Sequence, residues 1–188
     1  QWFHGGILPE NLAFHPGYGA LLAPFGSLPG ADLHTAALIV NGAFAATCVP
    51  LTVRLASAFG ANPKIQWVAA VFAAVSPALS ASSRIAWPET LLILILLGMV
   101  LLIHNSRWGW AGAVAGLAVL VHPRAIVLAV ALVLIAIGQR RKSLELLKGL
   151  LPALALTASF LSVTDTWPLV RIDAATSLGN GPGSITTL

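Results

Sequence analysis

Seven residues have the chemical type and the setting to act together: Glu10, His15, Tyr18, Arg84, Glu89, His122 and Arg124. They fall in three short motifs. The first is His15-Pro16-Gly17-Tyr18, which follows Pro9-Glu10. Glu10 is a carboxylate able to take a proton from an attacking hydroxyl, and His15 and Tyr18 offer hydrogen bonds to a polar substrate. The same stretch also reads as a turn with an aromatic anchor at a lipid–water boundary. The second motif is Arg84 with Trp87-Pro88-Glu89. Arg84 could hold an anion and Glu89 could orient a hydroxyl. Pro88 and Glu89 equally suit a plain helix start, where proline lacks an unneeded N–H and the acid complements the positive end. The third is His122-Pro123-Arg124. A cation at a helix start is disfavoured by the helix dipole, but a helix start beside a guanidinium is a good seat for phosphate. The alternative is an arginine reaching toward ordinary lipid headgroups. Asp32, Asp165 and Asp173 are general-base candidates by position only, and Asp32, after Pro29-Gly30, also suits a helix cap.

Other chemistries leave no trace. The sequence contains no GxxxxGK[ST], HExxH, CxxC or GxSxG motif. The histidines are scattered without an i, i+4 pair, so no preformed zinc site is expected. Cys48 is the single cysteine, which excludes an intrachain disulfide.

The elements that must position these residues are set by composition. The chain is 57% hydrophobic and only 9% charged, with a mean hydropathy of +0.89. Soluble domains are about 25% charged. So few charges cannot cover a water-exposed surface without large apolar patches, and lipid is the solvent that suits this chain. The net charge of +4 does not point to nucleic acid. The basic residues sit in short clusters between apolar runs, as in loops of membrane proteins.

A membrane-spanning helix needs about 20 apolar residues. The pattern predicts an all-α polytopic transmembrane bundle of about six membrane segments. These are 36–55, bent or loosened at Pro50; 65–82; 88–103; the two short runs 108–121 and 125–138; and 147–163. Residues 1–34 read as an outer-face region with interfacial helices, residues 35–163 as the bundle, and residues 164–188 as an outer-face polar loop or tail. One helix through both short runs would be about 46 Å long, against a hydrocarbon core of ~30 Å. Pro123 also moves His122 out of the helical region. A short helical hairpin is therefore expected there.

Alternating the six segments collects Arg54, Lys64, Arg107, Arg140, Arg141, Lys142 and Lys148 on one side, and Arg84, Arg124 and Arg171 on the other. The richer side is expected to be cytoplasmic. That places Arg84 to Glu89 and His122 to Arg124 on the outer face, and gathers His4, His15, His34 and His122 there. No Asp, Glu, Lys or Arg lies deep within an expected span, which argues against an ion-coupled transporter or pump. Asn41, Thr47 and Ser76 read as interhelical hydrogen-bonding groups, and Gly112 with Gly116 as a close-packing pair.

The order of these motifs resembles the polytopic GT-C glycosyltransferases that use polyprenyl-phosphate sugars, in particular the dolichyl-phosphate-mannose-protein mannosyltransferase-like group. The resemblance runs through His15-Pro16-Gly17-Tyr18-Gly19-Ala20-Leu21-Leu22-Ala23-Pro24-Phe25 into an apolar interfacial segment. It continues through Leu51-Thr52-Val53-Arg54-Leu55-Ala56 and Ser76-Pro77-Ala78-Leu79. It then takes in Ser83-Arg84-Ile85-Ala86-Trp87-Pro88-Glu89-Thr90-Leu91 and, after a Gly/Ala/Leu run, His122-Pro123-Arg124.

The resemblance implies sugar transfer from a polyprenyl-phosphate donor at the outer face of a plasma membrane. In that family a carboxylate in the first outer loop accepts the acceptor's proton. Here Glu10 is the acid that precedes the His-Pro motif, and the chain opens at Gln1 inside that loop, so a fragment with its catalytic acid upstream is also expected. Arg84 and Arg124 would hold the lipid phosphate, with Glu89, His15, Tyr18 and His122 facing substrate. A divalent metal fits the chemistry, although no ligand set is visible. The expected partners are membrane lipid, the donor, and further helices or a partner subunit. Two other classes stay open: a noncatalytic membrane subunit that binds lipid or a protein, and a segment of a transporter or flippase.

Overall fold

The computed structural model describes residues 16–26, 32–85 and 87–163 of the protein. Glu10, His15, His4, Asp165, Arg171 and Asp173 lie outside the described residues. Every regular element among those described is helical: α1 (Pro16–Gly26), α2 (Leu33–Ala58), α3 (Pro63–Ala74), α4 (Pro77–Ser83), α5 (Glu89–His104), α6 (Trp108–Val121), α7 (Ile126–Ala136) and α8 (Arg140–Val163), with a 3-10 turn at Pro123–Ala125.

Helix starts follow local chemistry. Asp32 caps α2, accepting from the backbone N–H groups of His34 and Thr35 at 3.1 Å each. The Thr35 hydroxyl adds a third bond at 2.6 Å. Asn62 caps α3 through Ile65 N–H at 3.0 Å, with Pro63 in the first turn. The ends are equally local. Gly60 (φ 80°) and Gly138 (φ 87°) take the left-handed conformation after α2 and α7. Ser106 does the same after α5 with φ 56°. Its N–H donates to Ile103 O and that of Arg107 to Leu102 O, a Schellman closure made without glycine.

By length and composition two helices can cross a membrane, α2 and α8. A third span results if α3 and α4 count as one, although they meet at a 42° bend. The run 65–82 is thus not straight. Ser76 precedes Pro77 and sits in extended backbone (φ −59°, ψ 119°), as a residue before proline prefers. At Pro50 the expected loosening does not end the helix, and α2 continues to Ala58. α5, α6 and Pro123–Ala136 are apolar but shorter than a full span. α8 starts at Arg140, seven residues before the apolar run at 147, because its first turns carry the basic cluster.

The chain breaks at His122 (φ −154°, ψ 129°), so α6 and α7 are separate helices. α6 and α8 form the most extensive helix contact, and they run in the same direction. Gly112 lies against Leu146 and Leu150, Gly116 against Ala153 and Leu154, and Gly149 against Gly109. A Cβ added at Gly149 would overlap the Gly109 carbonyl oxygen, and one at Gly112 the Leu146 carbonyl. The backbones touch because no side chain stands between them. The Thr157 hydroxyl donates to Gly116 O at 3.1 Å across the same seam. Met99, Trp108, Ala111, Ala115, Leu132, Leu146 and Leu150 build the main core around it. Outward-facing Ile39, Trp67, Phe72, Val127, Leu134 and Leu156 stay exposed, as lipid-facing side chains do.

Two ends result. At one, Phe59 meets His104 with ring centroids 5.3 Å apart. Lys142 lies over the Trp108 ring at 5.2 Å, and the Ser143 hydroxyl donates to Ala136 O at 2.6 Å. Lys64, Arg107, Arg140, Arg141 and Lys142 belong to helix starts on this side, with Arg54 near the end of α2 and Lys148 in the third turn of α8. The opposite end holds the start of α5, the end of α6 and helix α1.

Candidate functional site

The sequence motifs at positions 18, 89 and 122 come together at this second end. α1 reaches it because Gly17 allows close approach to α6: an added Cβ would stand 2.7 Å from Leu120 O. Tyr18, Leu22 and Ala37 then form a small buried cluster with Val40, Leu91 and Val121. This side-chain contact joins α1, α2, α5 and α6.

Asn41 organises the polar part. It is fully buried in α2. The Tyr18 hydroxyl donates to Asn41 Oδ1 at 3.0 Å. Asn41 Nδ2 donates to Ile85 O at 2.7 Å and to Trp87 O at 2.9 Å. One side chain therefore ties α1 to the turn that precedes Glu89. Pro88 is buried as the N-cap of α5, and Glu89 opens the helix half-buried. Burial raises the Tyr18 hydroxyl above its ordinary pKa; the Asn41 bond opposes this and the Glu89 charge adds to it. Tyr18 is a neutral donor here.

His122 is buried at the end of α6. Its Nδ1 accepts the Arg124 backbone N–H at 3.0 Å, capping the 3-10 turn. An accepting Nδ1 carries no proton, so the neutral ring is protonated at Nε2. Burial lowers the His122 pKa below 6.5, the Arg124 charge pushes the same way, and the Glu89 charge opposes. The Glu89 charge acts, as the smallest of the influences named, on both Tyr18 and His122.

Comparison with protein-family models, with curated proteins and with solved structures returns no match.

The remaining sequence candidates divide clearly. Arg124 is exposed beside His122 and forms no ion pair among the described residues. Arg84 is exposed at the C-terminal cap of α4, next in sequence to Ile85, whose carbonyl Asn41 holds. Asp32 is a helix cap: its hydrogen bonds with Thr35 and His34 lower its pKa and occupy its oxygens. It is a poor general base. Glu10 and His15 lie outside the described residues. No group of three His, Cys, Asp or Glu side chains able to hold a metal occurs among the described residues. Two groups were not legible as parts of this end. The interhelical hydrogen bonding expected of Asn41 is present, but its partners are the Tyr18 hydroxyl and two backbone carbonyls that no pattern announces. Thr90 is fully buried, and its hydroxyl has no hydrogen-bond partner among the described residues.

Proposed function

We propose that the chain is the helical core of a membrane glycosyltransferase that takes sugar from a polyprenyl-phosphate donor. The observation that carries this reading is the convergence of Tyr18, Glu89 and the His122-Pro123-Arg124 turn at one end of a lipid-facing bundle. The three stretches are far apart in sequence and belong to the order of motifs that resembles the GT-C enzymes. In this proposal the bundle has six membrane segments in a plasma membrane. The basic end is cytoplasmic, and the Glu89–His122 end faces outward.

The chemistry follows from the groups present. Arg124, assisted by Arg84, holds the donor phosphate and stabilises the charge it gains on leaving. A carboxylate accepts the acceptor hydroxyl's proton as that oxygen attacks the anomeric carbon. The bond from the anomeric carbon to the phosphate oxygen breaks, and polyprenyl phosphate departs. Glu89 and Tyr18 orient sugar hydroxyls, and His15 is a further candidate for that role. Glu10 remains the candidate for the proton-accepting acid.

The test is binding of a polyprenyl phosphate to the chain in nanodiscs. Arg124→Ala should weaken it about fivefold, the worth of one cation near a membrane surface. Unchanged binding at both low and moderate salt would sink the phosphate role.

One observation favours a second reading. Among the described residues the acids at this end are Asp32 and Glu89, the first a cap and the second in the opening turn of α5. A noncatalytic subunit would bind the same lipid without transferring sugar. A donor-loaded chain that binds normally and never yields transferred sugar would favour it.

A further inference from the structure

The basic end carries a feature that the proposed transfer does not use. A cleft of about 420 Å³ opens between the α5–α6 turn with the start of α6 and the second and third turns of α8. Its floor is backbone, where Gly109 and Gly149 face each other. Its walls bear Arg107 and Trp110 on one side, Glu145 and Lys148 on the other, with Trp108 between.

The charges define what fits. Arg107 is exposed and has no ion-pair partner among the described residues. Lys148 pairs with Glu145 at 3.0 Å, both largely open to the surroundings. Two cations against one carboxylate leave one net positive charge, which matches a singly charged phosphodiester. Arg107 presents a planar fork of donors to phosphate oxygens, and Glu145 remains able to accept from a headgroup hydroxyl. The first turn of α6 lines the same cleft, and its cap residue Arg107 contributes no side-chain cap bond. The buried indole N–H of Trp108 also lacks an acceptor among the described residues. Arg140 and Arg141 are exposed nearby at the start of α8, so the field over the cleft is positive.

The flanks decide between a dissolved anion and a lipid. Leu144, Leu147 and Leu151 are exposed on α8 around Lys148, and Trp110 is 67% exposed at the mouth. An indole at the end of an apolar helix belongs in the headgroup zone. A free phosphate has no use for these apolar surfaces, whereas acyl chains descend along them.

We propose that the cleft between α6 and α8 binds the phosphodiester headgroup of an anionic phospholipid, with Arg107 and Lys148 on the phosphate and Glu145 on a headgroup hydroxyl. This site is at the opposite end from the donor site and does not depend on the transferase reading.

The experiment is native mass spectrometry of the full chain in detergent, titrated with dioleoylphosphatidylglycerol or dioleoylphosphatidylcholine. Wild type should retain phosphatidylglycerol in preference to phosphatidylcholine. The double variant Arg107→Ala, Lys148→Ala should lose about thirtyfold in phosphatidylglycerol affinity, as expected for two cations at a membrane surface. Arg54→Ala, Lys64→Ala removes the same charge from the same end but outside the cleft, and should bind as wild type does. Arg107→Lys keeps the charge and checks folding; it should bind more tightly than the double alanine variant. The proposal is overturned if the double alanine variant binds like wild type. It is also overturned if the Arg54, Lys64 variant loses as much, since diffuse charge would then suffice. Competition by inorganic phosphate at matched concentration would assign the cleft to a free anion instead of a lipid.

Discussion

The two ends of the bundle are held together by different physics. Along the α6–α8 seam the helices touch backbone to backbone, with glycines where side chains would otherwise intervene. At the Glu89–His122 end the contact is a short polar relay, Tyr18 to Asn41 to two loop carbonyls, set on a small apolar cluster. In lipid, close packing of small residues is a main source of helix association, because burial against a neighbour gains little over burial against acyl chains. The seam is thus the rigid part. The relay positions chemistry-bearing groups with a few hydrogen bonds, each modest in size. The difference suggests that the fold is secured at one place and the candidate site is adjusted at another.

The strongest way to break this contrast is at Gly149. A valine there would drive its Cβ into the Gly109 carbonyl, a backbone atom that cannot rotate aside. The helices would have to separate, costing about 3 kcal/mol or more. Gly98 in α5 has nothing within 4 Å of an added Cβ, so Gly98→Ala should be neutral or slightly stabilising. Reversible unfolding in micelles should separate the two variants widely. If Gly149→Val unfolds with the same midpoint as wild type, the seam does not secure the fold.

A smaller effect is expected at the relay. Asn41→Leu strands the Tyr18 hydroxyl and frees the carbonyls of Ile85 and Trp87. The loss should be about 2 kcal/mol, since hydrogen bonds within membrane bundles are individually weak. Its signature should be local. Hydrogen exchange should rise at the start of α5 and in α1 while the amides of α6 and α8 stay protected. A uniform rise across the molecule would mean that the two ends unfold as one unit and that the contrast is false.

Much of this architecture was legible in the sequence, and the reasons differ by residue. Apolar runs bounded by Pro63, Pro88 and Pro123 mark helices because proline tolerates a first turn and restricts the residue before it. The His122 break was readable on those grounds. The parallel run of α6 and α8 follows from α7 turning back between them. Gly112 and Gly116 announced close packing, but their partner could not be named, because any small residue on any helix would serve. Gly112 packs on Leu146 and Leu150 and Gly116 on Ala153 and Leu154, while the glycine-to-glycine contact is Gly149 on Gly109; in sequence Gly149 is merely a glycine near a basic cluster. The bend at Ser76 was missed because hydropathy is blind to a single extended residue. Ser106 was missed because left-handed backbone is the habit of glycine. Of the candidate site, the separate motifs were visible, while their meeting depends on Asn41 and Gly17, whose contacts come from tertiary structure alone.

The smallest effect, and the sharpest for the comparison, concerns acid. His122 is buried and its pKa is held below 6.5, first by desolvation and next by the Arg124 charge, with Glu89 acting against both. The unfolded chain therefore binds a proton at a pH where the folded chain does not. Stability is undiminished above about 6.5 and falls as pH drops through that value toward the lowered folded pKa. His122→Asn keeps an acceptor for the Arg124 N–H but cannot titrate, so its stability should vary less with pH over this window. Along the α6–α8 seam the contacts of Gly112, Gly116, Leu146, Gly149, Leu150, Ala153 and Thr157 do not titrate, and Glu145, which touches Gly109 at one end of the seam, is exposed and paired with Lys148. Acidification should accordingly raise hydrogen exchange around His122 before it touches the seam. Should wild type instead gain stability as pH falls, the folded state would favour the charged imidazolium, and the Glu89 carboxylate would then outweigh burial at that end.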